Sequence, residues 1–422
     1  MIVVVGGGWA GCSAAYSAAM AGADVTLLEK TDMLLGTGLV GGIMRNNGRY
    51  TALEEISAMG GRELVRIIDR TARHRWVNFP GHRHATLYDV TRIEPVIREF
   101  LANKGVILKL RARMTDVLIK DGNLSGIIAD QQSVHGDVFV DATGTAGPLA
   151  NCSRFGTGCA MCILRCPTFG PRVSLTAKAG IKEMTAMGEL CSSGAMSGSC
   201  KLDKKSLAPW LVNNLERGGV TVVPLPDRIK KGDLLDRKAC QQYNLKAFAE
   251  NLILLDTGHA KLMTPYFPLE ILRTIDGFEN ARYGDPYSGG TGNSVRFMAI
   301  APTGENLQVT GLKNLFCAGE KTGPLVGHTE AIVTGMLAGH NAARLEKGRE
   351  PIKLPDSTAS GDIITFMVSQ IKKGTGLKSK YTFSGSVYFE RMKELDLYTT
   401  DLVSIEKRIS GAGLKGLFGN SF

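Results

Sequence analysis

The chain has 422 residues, 44% of them hydrophobic, with 51 glycines, nine cysteines and a formal charge of +10. That length is more than one hydrophobic core supports, so two interleaved domains plus a tail are expected, and no apolar run approaches the ~18 residues that a membrane-spanning helix needs. An apolar strand starting at residue 2 leaves no room for a signal peptide, so the expected location is the cytoplasm, without membrane contact, and the cysteines point to redox, metal or thiol chemistry rather than structural disulfides.

The first thirty residues read as strand, turn, helix and second strand. Ile2, Val3, Val4 and Val5 are an unbroken apolar run, as in a parallel strand covered on both faces. Gly6, Gly8 and Gly11 then place G-x-G-x-x-G where the chain turns into a helix. The first glycine suits the tight turn, the second the approach of backbone to a pyrophosphate, and the third close packing of helix on strand, while the helix N-terminus attracts the phosphate charge. A second strand ends in Glu29 and Lys30. The Glu29 carboxylate stands about 20 residues past the turn, where it can accept both ribose hydroxyls of an adenosine.

A second G-x-G-x-x-G, at Gly36, Gly38 and Gly41, has no strand ahead of it and fails the context test; the loop, with Gly41 and Gly42, is better placed to wrap the pyrophosphate or the flavin edge. Helical spacing covers 53–75 and 89–103, with Asp89 as N-cap. Between Arg62 and Arg113 twelve Lys or Arg face five Asp or Glu, with His74, His82 and His84 interspersed. Such a run is a solvated surface or a site for an anionic substrate or acidic partner. Strands at 106–110, 115–120 and 124–129 are expected to form a small antiparallel meander. A further buried strand, 137–144, closes in a turn with Thr143 and Gly144.

A dinucleotide unit, a meander and a strand ending Ala-Thr-Gly resemble the skeleton of FAD-dependent oxidoreductases of the glutathione-reductase-like group. Residues 314–344 supply the third cofactor element: a strand ending Ala318-Gly319-Glu320, a glycine-rich bend, and a helix starting near Gly327, His328 and Thr329. Glu320 would meet the ribityl or pyrophosphate side, and the positive helix end the flavin's pyrimidine edge. The Leu315-Phe316, Ala318-Gly319, Glu330-Ala331 and 335–343 matches resemble the closing motif of the GidA and TrmFO proteins, FAD enzymes that modify tRNA. A weaker similarity covers 266–286, where Pro268-Leu269-Glu270 and Arg282-Tyr283-Gly284-Asp285-Pro286 look like the TrmFO segment with a catalytic cysteine; Phe267 occupies that cysteine's place.

Cys159, Cys162 and Cys166 form C-x2-C-x3-C-P. Three readings stay open: a redox dithiol beside the flavin, iron-sulfur ligands completed by Cys152, Cys191 or Cys200, or reduced small residues lining a substrate pocket. A zinc site would use the same residues but has no nearby C-x-x-C partner. His259, Lys261, Arg273, Arg282 and Arg296 lie in the section expected to cover the flavin, where arginines can fix a carboxylate or phosphate. Ser288 to Asn293 is a loop that faces the flavin or only connects. Past Pro351 the chain turns linker-like and basic, with a strand expected at 381–389, a helix at 390–410, and a partner or homodimer surface as the role.

The expected fold is α/β: a Rossmann-like FAD-binding domain from 1–150 and 291–350, interrupted by a substrate or cap domain at 151–290 and followed by a small extension at 351–422. The expected function is FAD-dependent oxidation and reduction of a small-molecule or thiol substrate, coupled to a Cys159/Cys162 relay, with flavin redox chemistry positioned by the protein. No second nucleotide-binding unit appears, so a ferredoxin, another flavoprotein or a transiently bound nicotinamide is the expected reductant. Two alternatives remain: a folate- and FAD-dependent RNA-modifying enzyme, with nucleic acid as partner, and an iron-sulfur electron-transfer subunit.

Overall fold

The computed structural model describes residues 1–145, 166–186, 195–196, 200–230, 243–263, 268–284, 295–296 and 298–421. Its central sheet has five parallel strands in the order Leu315–Cys317, Val138–Asp141, Ile2–Val5, Val25–Leu28 and Ile107–Lys109. All four residues of the first strand are buried, because both faces of the sheet are covered. Ile2, Val4 and Leu27 pack on one face against the helices, and Val3, Val5 and Phe139 on the other against Leu124, Ile127 and Val134 of the antiparallel meander. The meander consists of Met114–Lys120, Asn123–Ala129 and Gln132–His135. The strand expected to open it, near 107, instead pairs in parallel with Val25–Leu28 at the edge of the central sheet. That edge offers the N–H and C=O groups the strand must satisfy, and the meander takes Gln132–His135 as its third member.

Two helices lie face to face on the sheet, Trp9–Met20 and His328–Glu346, and small residues let their backbones touch. A Cβ on Gly335 would lie 2.3 Å from the Ala10 carbonyl oxygen, and one on Gly339 2.0 Å from that of Ala14. The helix expected at 53–75 is broken. It runs Arg49–Ile56, passes a π-helical turn at Ser57–Gly61 where Gly60 has φ 113°, and continues as Arg62–Arg70. At Ala72 the chain becomes a strand, Ala72–Phe79, that pairs with His82–Tyr88, which in turn holds Ile43–Met44. The later helix begins at Ile93, and Asp89 caps the preceding turn through Thr91 N–H at 2.9 Å.

A four-stranded antiparallel sheet, in the order Cys200–Leu202, Ala260–Leu262, Asn251–Asp256 and Val220–Pro224, has its own core of Leu211, Leu215, Leu252, Leu254, Leu262 and Phe278. It is tied to the Ala72–Phe79 strand by Asp256, fully buried, which pairs with Arg73 at 2.9 Å, His74 at 2.9 Å and Lys204 at 2.6 Å.

Residues beyond 351 pack into the main core through Ile363, Ile364, Met367, Phe383, Tyr388, Ile409 and Phe418. The expected strand at 381–389 is a tight loop followed by helix Ser386–Glu394, and the expected 390–410 helix is two helices, this one and Leu402–Gly411. A third helix, Ala359–Lys372, carries no sequence expectation; its N-terminal N–H groups at Ala359 and Ser360 are accepted by the buried Glu55 at 3.0 and 2.8 Å. Among the described residues no helix is long and apolar enough to cross a membrane.

Candidate cofactor cleft

One cleft runs along the carboxyl ends of the parallel strands, where open α/β sheets bind ligands. Of the residues singled out in the sequence, Gly6, Gly8, Glu29, Lys30, Gly41, Thr143, Gly144, Cys166, Gly319, Glu320, Gly327 and His328 line it. Gly11, Gly42 and Thr329 lie behind its wall. A Cβ on Gly11 would sit 1.8 Å from the Gly6 carbonyl oxygen, so this glycine sets how closely helix and strand approach. Gly42 has φ 74° and closes against Thr257. Thr329 is fully buried, its hydroxyl 3.6 Å from Met44 Sδ.

At one end Glu29 accepts the Gly7 N–H at 2.8 Å on Oε2 and the Thr31 N–H at 2.9 Å on Oε1. Each oxygen keeps a lone pair for a hydroxyl in the cleft. Over this end runs the 166–174 segment, pinned from below. Lys30 Nζ donates to Gly170 O at 3.0 Å and lies 3.9 Å from Cys166 Sγ, and Arg113 Nε donates to Pro171 O at 2.9 Å. Burial pushes the Lys30 ammonium below its ordinary range. Cys166 thus sits at the Glu29 end. Cys159, Cys162, Cys152 and Cys191 lie outside the described residues, as do Phe267 and the loop at 288–293.

Beneath the Thr143 turn lies a buried polar cluster. Asp141 accepts Thr143 N–H at 3.0 Å and Thr143 Oγ1–H at 2.7 Å on one oxygen, and Thr176 N–H at 2.9 Å and its hydroxyl at 3.0 Å on the other. Lys321, fully buried, is 4.0 Å from Asp141 and donates to Glu183 and to Ser174 Oγ at 2.9 Å. Burial alone would raise both carboxyls, but the Lys321 ammonium and the donors around them hold both below the usual range. Glu320 accepts the Thr145 hydroxyl.

At the other end, Arg49 and Glu330 form a buried ion pair with both Glu330 oxygens 3.1 Å from Arg49 Nε. Arg49 also donates to Val326 O at 2.9 Å and Asn46 Oδ1 at 3.2 Å. Glu330 also accepts Thr382 Oγ1–H at 2.7 Å and Phe383 N–H at 2.9 Å, so the extension beyond 351 helps fix the start of the His328–Glu346 helix. Gly327, at φ 146°, makes room for this pair; a Cβ there would fall 1.9 Å from Glu330 Oε2. His328 rests on Gly41, where a Cβ would lie 1.6 Å from its Cε1. Lys261, buried, donates to Val40 O and lines the same end. The other basic candidates lie elsewhere: Arg273 donates to Ala281 O at 3.1 Å, Arg282 pairs with Asp203 at 3.3 Å, and His259 does not line the cleft. Of Arg296 only the backbone is described.

A family model described as Glucose inhibited division protein A matches residues 1–207 and 256–350. The chain belongs to this family. The GidA structures of Aquifex aeolicus share its fold: form II with a TM-score of 0.65 and 17% identity, covering 97% of this chain and 76% of that one, and form I with 0.61 and 16%, covering 97% and 78%. A methylenetetrahydrofolate–tRNA-(uracil-5-)-methyltransferase TrmFO from Bacillus cytotoxicus is 41% identical over 103 residues, 24% of this chain and 22% of that protein. Its counterpart from Bacillus mycoides is 40% identical over the same length. These alignments span only about a fifth of those relatives.

A member of this family binds FAD, and the cleft fits that cofactor. Beside Gly8 and Gly144 a Cβ would meet nothing within 4 Å, so both glycines border open space. Arg172, 6% exposed, lines the cleft with Nη1 3.4 Å from Thr143 Oγ1, while its buried Nε makes no hydrogen bond among the described residues. A buried guanidinium N–H without a partner is costly, and an anionic oxygen is its natural acceptor. Glu29 would hold the adenosine ribose, Gly6 to Gly8 with Arg172 the pyrophosphate, and the His328 end the flavin ring. Arg172 carries no signal in the sequence because it stands alone in an irregular segment; only its nearness to the cysteine run marks the region.

Proposed function

We propose that this chain is an FAD-dependent enzyme that modifies RNA, with tRNA as the substrate class. The observation that carries this reading is the family match on both sides of the cleft, 1–207 and 256–350, together with similarity to tRNA methyltransferases. When bound, the flavin supplies hydride transfer. The chain's own residues orient it: the start of the His328–Glu346 helix and the Lys261 ammonium put positive charge at the flavin end, where negative charge gathers on reduction. The Arg49–Glu330 pair holds that helix start in place.

Phe267 stands where the resemblance puts a nucleophilic cysteine, so covalent attack on a uracil by that side chain is not part of the proposal. What remains is reductive one-carbon chemistry on a base, with a nicotinamide, a ferredoxin or another flavoprotein as electron donor. The test incubates the holoenzyme with unmodified tRNA, NADPH and methylenetetrahydrofolate, and analyses the nucleosides by mass spectrometry. A new nucleoside mass that depends on FAD is expected. Oxidation of NADPH with every nucleoside mass unchanged would leave an oxidoreductase and sink the RNA reading.

A further inference from the structure

The basic run noted in the sequence is most concentrated in the hairpin Ala72–Phe79/His82–Tyr88. Between Asp69 and Asp89 there are four arginines and three histidines and no acidic residue. The pairing is interrupted three times, between Ala72↔Tyr88 and His74↔Leu87, between His74↔Leu87 and Val77↔Ala85, and between Val77↔Ala85 and Phe79↔His82. The second interruption contains Trp76 and the third His84, and both have left-handed backbone, φ 57° and 62°. Bulges re-aim side chains, and a bulky residue at positive φ is an outlier that surrounding structure must hold in place.

These second and third interruptions bring Trp76 and His84 together, their ring centroids 5.5 Å apart at 78°. Tyr50 lies 5.3 Å from Trp76, and His84 Nε2 is 2.8 Å from the Tyr398 hydroxyl. Tyr398 meets Phe389 at 5.2 Å, and Lys393 stands 5.0 Å over that ring. Trp76 touches two of these rings, Tyr50 and His84, and is still 57% exposed. Arg75 and Arg83 are exposed beside it. The nearby acids are engaged: Glu54 and Asp69 with Arg45, and Glu390 with Lys393. The face therefore offers an aromatic surface in a cationic frame, which complements a polyanion whose bases are unstacked.

We propose that Trp76, with His84 and flanked by Arg75 and Arg83, is a stacking shelf for an unpaired base of the RNA substrate. The shelf rests on the RNA reading above and adds a surface outside the cofactor cleft.

The test measures fluorescence anisotropy of a labelled, single-stranded oligoribonucleotide of mixed sequence, titrated with holoenzyme at several salt concentrations. Trp76→Ala should weaken binding ~10-fold, since stacking on one aromatic ring is worth roughly that much, while Trp76→Phe keeps most of it. Arg83→Ala should reduce the slope of log K against log salt by ~0.7, one phosphate contact on a single strand. Melting temperatures equal to wild type show that the variants fold. Equal binding by wild type and Trp76→Ala overturns the shelf and leaves the RNA reading intact. Loss of self-association in Trp76→Ala, with RNA binding kept, overturns it in favour of a contact between copies of the chain. Absence of RNA binding by wild type overturns both. Trp76-dependent binding without any modified nucleoside upholds the shelf and sinks only the catalytic reading.

Discussion

The two ends of the cleft are built by different means. At the Glu29 end the carboxylate itself is held by backbone N–H groups close in sequence, Gly7 22 residues away and Thr31 only two, while the 166–174 segment is pinned over it from farther off. At the His328 end the carboxylate of Glu330 is held from across the chain, by the Arg49 side chain 281 residues away and the Phe383 backbone N–H 53 away. One end is a turn that any neighbouring strand can support, and the other is a buried charge pair that exists only when three distant segments have docked. The first should fail locally and the second globally.

The largest effect is therefore expected from Arg49→Ala. It leaves Glu330 buried without its cation, and breaking a buried pair on one side costs about 3–5 kcal/mol. Urea unfolding measures it; a loss below about 1 kcal/mol would mean that the Thr382 and Phe383 contacts alone fix the helix start. Gly11→Ala comes next. Its Cβ would overlap the Gly6 carbonyl, and overpacking of this kind costs about 1–3 kcal/mol. The visible flavin absorbance of the purified protein should vanish with it, because the turn itself must move; retained flavin would show that the helix can slide without disturbing the cofactor.

Arg172→Met sharpens the comparison because it touches neither the Arg49–Glu330 pair nor the Gly6 turn; its contact is with Thr143. Without cofactor the side chain is a buried cation with an idle Nε, so replacing it should leave the melting temperature of the apoprotein unchanged or higher. Losing one charge-assisted hydrogen bond of ~1.5–3 kcal/mol should weaken FAD binding at least ~10-fold. Flavin fluorescence titration reads the second, and unchanged affinity would remove Arg172 from the pyrophosphate site.

The same contrast explains which features are legible in the sequence. Glycine spacing, apolar strands and an acid at fixed distance are local signals, so the turn at Gly6 to Gly11, the strand 138–141 and the helix starting at His328 can be read from the residues alone. The partners of Arg49 cannot, because nothing in a single sequence links residues 49, 330 and 382. The 107–109 strand joins the central sheet rather than the expected meander for a related reason: a short apolar run states that it pairs, not with whom. The segment beyond 351 reads as a tail because its helices are interrupted by polar loops, while its apolar residues lie on separate elements that meet only in the core.

The smallest effect is a pH dependence that belongs to neither end but to the cluster between them. Asp141 and Glu183 titrate below the ordinary carboxyl values of about 4, despite burial, because Lys321 and the threonine donors favour their charged forms. A depressed folded pKa adds stability that is present above the unfolded pKa and is lost as pH falls through the folded value. The melting temperature should hold between neutrality and about pH 5 and then decline. Asp141→Asn should melt lower at neutral pH, since Asn cannot accept all four donors, yet it should lose less on acidification because one of the titrating groups is gone. An acid decline of equal size in both proteins would place the linkage on other carboxyls, and the cluster would then be a rigid support for the Thr143 turn whose charge does not change in this range.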